Sequence, residues 1–186
     1  MKVNTLLLLI ILSVGLLGFS FYGDDVNSEP EYVGTKTCGM CHKKEDVGQQ
    51  LKIWQDSKHS QAYTTLQTEE ADKIAKEKGH STKAAETPEC LKCHVTGYDI
   101  DASLLRKKFK IEDGVQCETC HGPGSEYKSK KVMKDRSLAI EKGLVLYEKP
   151  EELCVKCHNE ESPAFSGFNF DEMWPKIKHS KPESKK

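Results

Sequence analysis

Apolar and polar positions divide this chain into two regimes. From Thr5 to Tyr22 the residues are almost all apolar, with Leu6 to Leu12 unbroken, Lys2 ahead of them and Asp24-Asp25 behind. This reads as an export signal over residues 1–23 or as an N-terminal membrane anchor, because the run reaches the lower edge of the roughly 17–25 residues a crossing helix needs. Residues 24–30 read as a linker. From 31 to 181 polar residues dominate, and apolar ones recur at helical spacing only in short windows, which predict helices at about 43–67, 69–78, 133–142, 150–157 and 170–180. Acids open and lysines close the stretch Glu69–Lys78, and Gly79 stops it. Pro150-Glu151-Glu152 starts another helix, Gly143 ends the one before it, and Gly122-Pro123-Gly124 reads as a tight turn. No alternating run is long enough for a sheet, and residues 182–186 read as a disordered tail. The expected fold is one mostly α domain of short helices and long loops.

Composition makes such a fold hard to stabilise. The 186 residues are 37% hydrophobic and 31% charged, and the N-terminal run and eight cysteines absorb much of the hydrophobic share. What remains is too little to build an ordinary core. The formal charge is −1, without the basic excess or stacking motif of a nucleic-acid binder, so nucleic acid is set aside as a partner. The lysine-rich stretch Lys128–Arg136 reads as a solvated face.

The cysteines supply the missing interior. They occur only as Cys38-Gly39-Met40-Cys41-His42, Cys90-Leu91-Lys92-Cys93-His94, Cys117-Glu118-Thr119-Cys120-His121 and Cys154-Val155-Lys156-Cys157-His158. With 7 histidines in the chain, composition alone does not put one behind every pair. The chemistry that needs C-x-x-C-H is covalent c-type haem attachment: two thiols add to the two vinyl groups of one haem, and the next histidine becomes the proximal iron ligand. Two intervening residues set the thiols about one helical turn apart. Zinc ribbons do not need a histidine after every pair and favour reducing compartments. A thioredoxin-like dithiol comes singly, and a disulfide scaffold scatters its cysteines. The expected protein is therefore a multihaem cytochrome c packed around four covalent haems, held by Cys38, Cys41, Cys90, Cys93, Cys117, Cys120, Cys154 and Cys157, with His42, His94, His121 and His158 on the irons.

His59, His80 and His179 remain for four distal positions, one short. His59 has Ala62, Tyr63 and Leu66 on its helical face and reads as a ligand. On a continuous helix His179 points away from the stripe of Phe170, Met173, Trp174 and Ile177; a kink or restart at Pro175 would free it to ligate. His80, behind Gly79, reads as either a ligand or a solvated side chain. Met133 is the candidate surrogate, since Met173 reads as core. Otherwise one haem is five-coordinate.

Beyond the four motifs, Tyr32-Val33-Gly34, Trp54 to His59, Glu89 to Tyr98 and above all Gly114-Val115-Gln116-Cys117-Glu118-Thr119-Cys120-His121-Gly122-Pro123-Gly124 make the chain resemble the tetrahaem cytochromes c of the cytochrome c-554 family, over roughly residues 31–181. The resemblance implies that His59 serves the third haem and His179 the fourth. It implies a five-coordinate second haem, on Cys90, Cys93 and His94. The family's distal histidine for the first haem comes from the segment after H-G-P-G, but this sequence has no histidine between His121 and His158. The first haem must then use His80 or Met133, or go without. A methionine ligand would raise its potential.

The resemblance further implies an electron carrier in the periplasm or another extracytoplasmic space. Its donor would be a larger multihaem oxidoreductase, and its acceptor a membrane quinone-linked or terminal one. The alternative is an enzyme reducing a small nitrogen oxide such as nitric oxide at an open haem, for which the ligand deficit speaks. A subunit of an extracellular haem wire is a third class.

Overall fold

A computed structural model describes residues 29–180. The expected leader 1–23, the linker up to residue 28 and the tail 182–186 lie outside the described residues. In chain order the described helices are α1 (Thr35–His42), α2 (Gln50–Gln55), α3 (Ala62–Leu66), α4 (Glu69–Glu77), α5 (Pro88–His94), α6 (Cys117–His121), α7 (Lys130–Met133), α8 (Arg136–Glu141), α9 (Glu151–Cys154) and α10 (Phe170–Ile177), joined by loops and single 3-10 turns. Strand pairing among the described residues is limited to a bridge between Tyr32 and Leu105. None of the described helices is long and apolar enough to cross a membrane.

The helices are shorter than their apolar periods suggest, and the interruptions have local causes. The expected helix 43–67 is broken. Gln49 takes φ 52°, starting α2 afresh, and after Gln55 the hydroxyls of Ser57 and Ser60 bond the carbonyls of Trp54 and Gln55, competing with the helical ladder. His59 consequently sits in a 3-10 turn between α2 and α3. The expected helix 133–142 divides because Asp135 is extended and its carboxylate accepts from Leu138 N–H, capping α8 as a new helix after α7. The helix expected at 150–157 ends at Cys154. Helix α4 matches expectation: the Thr68 hydroxyl caps it and Gly79, at φ 89°, ends it.

Side chains alone give a small interior. Its apolar members are Val33, Leu66, Ala75, Ala84, Val95, Tyr127 and Ala139, with Leu66, Ala75 and Ala84 forming a cluster against Cys90 and Leu91. The largest fully buried side chain is polar, Gln116. Helix α1 packs on α2 and α6, α3 on α4 and α5, and α10 on α2, so three of the cysteine-bearing helices, α1, α5 and α6, take part in the helix packing.

Candidate functional site

Each of α1, α5 and α6 carries a complete cysteine pair and ends on its histidine. The fourth pair straddles the end of α9, where His158 N–H donates to Cys154 carbonyl at 2.9 Å. All eight cysteines are free of disulfides. Proximity between pairs orders them in space. The thiols of Cys38 and Cys117 lie near enough to perturb one another, as do those of Cys93 and Cys157 and, less directly, those of Cys120 and Cys154. The attachment points therefore run first, third, fourth, second. Burial, reinforced by Cys154, pushes the Cys120 thiol up to about 11, and burial with Cys93 pushes Cys157 up to about 12, while the neighbouring Cys38 draws Cys117 down.

The junction of the first and third pairs is held by two side chains to which sequence reasoning gave no role. Glu118, inside the third pair and 3% exposed, accepts at Oε1 from Val33 N–H at 2.8 Å and Gly124 N–H at 2.7 Å, and at Oε2 from Gly34 N–H at 2.8 Å. Gln116 accepts at Oε1 from the Thr35 N–H and hydroxyl and donates from Nε2 to Lys110 carbonyl. Their visible signal was two polar residues bracketing Cys117 where a buried helix start would favour apolar ones.

Two pairs of imidazoles face each other. The ring centroids of His59 and His158 are 6.1 Å apart, and those of His121 and His179 are 5.8 Å apart. A metal bound by two imidazoles at about 2 Å each, with each ring centre about 1 Å behind its nitrogen, separates the centroids by roughly 6 Å. Each facing pair would therefore hold one haem iron between its two imidazoles. A bound haem supplies a one-electron iron couple and a flat apolar surface. The chain orients the rings for that role. Nδ1–H of His94 donates to Ala62 carbonyl at 2.8 Å, that of His121 to Val145 carbonyl at 3.0 Å, that of His179 to Ile177 carbonyl at 3.1 Å and that of His42 to Gln50 Oε1 at 3.2 Å. Each bond leaves Nε2 free to ligate. Burial holds His59, His121 and His158 below the ordinary histidine value, with His158 adding to the effect on His59, and so favours the neutral, ligating form. Phe168 stacks on His158 with centroids 4.9 Å apart.

The pairing reverses the assignment implied by the resemblance. His59 faces His158 of the fourth pair, and His179 faces His121 of the third. The turn that carries His59 is pinned by Val115 N–H donating to its carbonyl at 3.0 Å, and Gly114 allows that approach, since a Cβ there would stand 2.7 Å from the same oxygen. Pro175 lies inside α10 without restarting it; the helix ends at Ile177, and the extended Lys178 frees His179 from the helical face.

His80, one of the alternatives offered for the first haem, stands elsewhere. It lines a cavity of about 360 Å³ at the second pair, together with Cys90, Cys93 and His94. Met133 ends α7, half-buried, on a helix that packs against α8. His42 and His94 stand outside the two facing pairs.

A family model described as cytochrome c554 and c-prime matches residues 37–122, which carry the first three pairs. A curated relative, cytochrome c-554 of Nitrosomonas europaea, is 28% identical over 207 residues, covering 91% of this chain and 84% of the relative. Comparison with solved structures finds no match.

Proposed function

We propose that this chain, a member of the cytochrome c-554 family and so a c-type cytochrome with covalently bound haem, is an exported tetrahaem electron carrier working between redox partner proteins. The observation that carries this is the combination of two facing imidazole pairs with four C-x-x-C-H attachment points in one contiguous series. Cys38, Cys41, Cys90, Cys93, Cys117, Cys120, Cys154 and Cys157 hold four haems, and His42, His94, His121 and His158 ligate their irons. His59 ligates the fourth haem's iron and His179 the third's. The apolar leader and the thiol chemistry support an extracytoplasmic, periplasmic location. The donor is a larger multihaem oxidoreductase and the acceptor a membrane quinone-linked or terminal one, met through brief, charge-guided docking.

The histidine count, three for four distal positions, favours the second reading, small nitrogen-oxide chemistry at an open iron. A reductive titration of the haem-loaded protein, followed by addition of nitric oxide to the reduced form, separates the two. A carrier takes up four electrons per chain and does not turn over nitric oxide. Catalytic consumption of nitric oxide at the expense of those electrons overturns the carrier reading.

A further inference from the structure

The geometry points to His80 as the sixth ligand of the second haem, on the iron held by His94. This rests on the four-haem reading above and corrects what the resemblance implies for that haem, an open iron.

Three independent features converge on it. The first is place. His80 and His94 line the same cavity, whose other walls include Leu66, Ile74 and Pro163 and contain no methionine. The second is backbone. Gly79 turns left-handed at φ 89°, His80 N–H returns to Ala75 carbonyl at 3.0 Å and Gly79 N–H to Lys76 carbonyl at 3.0 Å. This Schellman closure folds His80 back alongside the α4 residues Ala71 and Ala75, which themselves line the cavity, instead of releasing it into solvent.

The third feature is the ring's own partner. Nδ1 of His80 lies 3.8 Å from Oε2 of Glu89, the residue immediately before Cys90. A carboxylate behind one ring nitrogen is the usual companion of a metal-bound histidine, because it fixes the tautomer and leaves Nε2 as the donor. At His42, His94, His121 and His179 the Nδ1 acceptor stands at hydrogen-bond distance; at His80 the carboxylate faces the same ring nitrogen from just beyond it. The count agrees: with His59 and His179 committed to the facing pairs, His80 is the one remaining histidine that does not follow a cysteine pair. The haem then without a distal histidine is the first, on His42.

The test compares haem-loaded wild type with His80→Ala by low-temperature electron paramagnetic resonance of the ferric protein and by carbon monoxide stoichiometry of the ferrous protein. Intact mass checks the haem count in both. The expected result is that the variant gains one high-spin haem and binds one more equivalent of carbon monoxide per chain than wild type. Added imidazole should restore the low-spin signal. Paramagnetically shifted proton resonances should place the new open haem on Cys90 and Cys93. No gain over wild type overturns the assignment, and so does a gain located on the haem of Cys38 and Cys41. If His80→Ala does not fold, His80→Met serves instead: a methionine-to-iron charge-transfer band on the second haem supports the assignment, and an unchanged spectrum overturns it. A count below four haems in wild type is a different outcome, which fails the tetrahaem reading itself.

Discussion

Replacing Glu118 by alanine removes the acceptor that joins the first and third cysteine pairs. Three backbone N–H groups, those of Val33, Gly34 and Gly124, end on its carboxylate in a site 3% exposed. Each buried donor left unpaired costs about 1–3 kcal/mol, and some relaxation or water entry leaves roughly 4–6 kcal/mol in all. Against a total stability of about 5–15 kcal/mol that is a major loss, and for a chain of this length it lowers the melting temperature by roughly 10–20 °C. The Glu118→Gln variant should lose less, because its remaining oxygen still serves two of the three donors while the amide nitrogen opposes the third. Thermal unfolding of the haem-loaded proteins, followed by far-ultraviolet circular dichroism, measures the series, with the exposed Glu160→Ala expected within about 0.5 kcal/mol of wild type. A Glu118→Ala protein within about 1 kcal/mol of wild type would refute the idea that this carboxylate holds the junction.

Further consequences can be read spectroscopically. His59→Met should alter the spectrum and potential of one haem, the one on Cys154 and Cys157, while His179→Met alters the one on Cys117 and Cys120; equal perturbation of all four would point to misfolding. Gly114→Ala, which replaces no ligand, should disturb the same haem as His59→Met because its Cβ would press on the His59 carbonyl, and an unchanged spectrum there contradicts the role given to that turn. Burial holds His59, His121 and His158 below their ordinary value of 6.5. The stability their neutral forms contribute is therefore full above pH 6.5 and is lost as pH falls from there through the depressed folded values. Melting temperatures measured from pH 7.5 downward should stay level to pH 6.5 and fall below it, and a fall that begins above pH 6.5 contradicts the burial argument.

How much of this was legible in the sequence depends on the range of the interaction. The four attachment motifs are local, so spacing and helical pitch suffice to find them, and α4 was bounded because Thr68, its acidic start and Gly79 all act within the helix. The breaks at Ser57 and Asp135 arise from side chains that bond nearby backbone in either state, and apolar periodicity does not register them. The partner of each distal histidine was least legible, since it is fixed by contacts far apart in the chain: Val115 holding the His59 turn, and Val145 orienting His121. His80 shows the same limit. Its position behind Gly79 was visible, but only the packing of α4 beside Cys90 brings it to the second pair.

The central claim is that all four pairs are haem attachment sites, and peptide mapping of the haem-loaded protein by mass spectrometry tests it most directly. The expected result is a haem on each of the peptides bearing Cys38 and Cys41, Cys90 and Cys93, Cys117 and Cys120, and Cys154 and Cys157. Any one of these peptides recovered with free thiols, a disulfide or zinc in place of haem would contradict it.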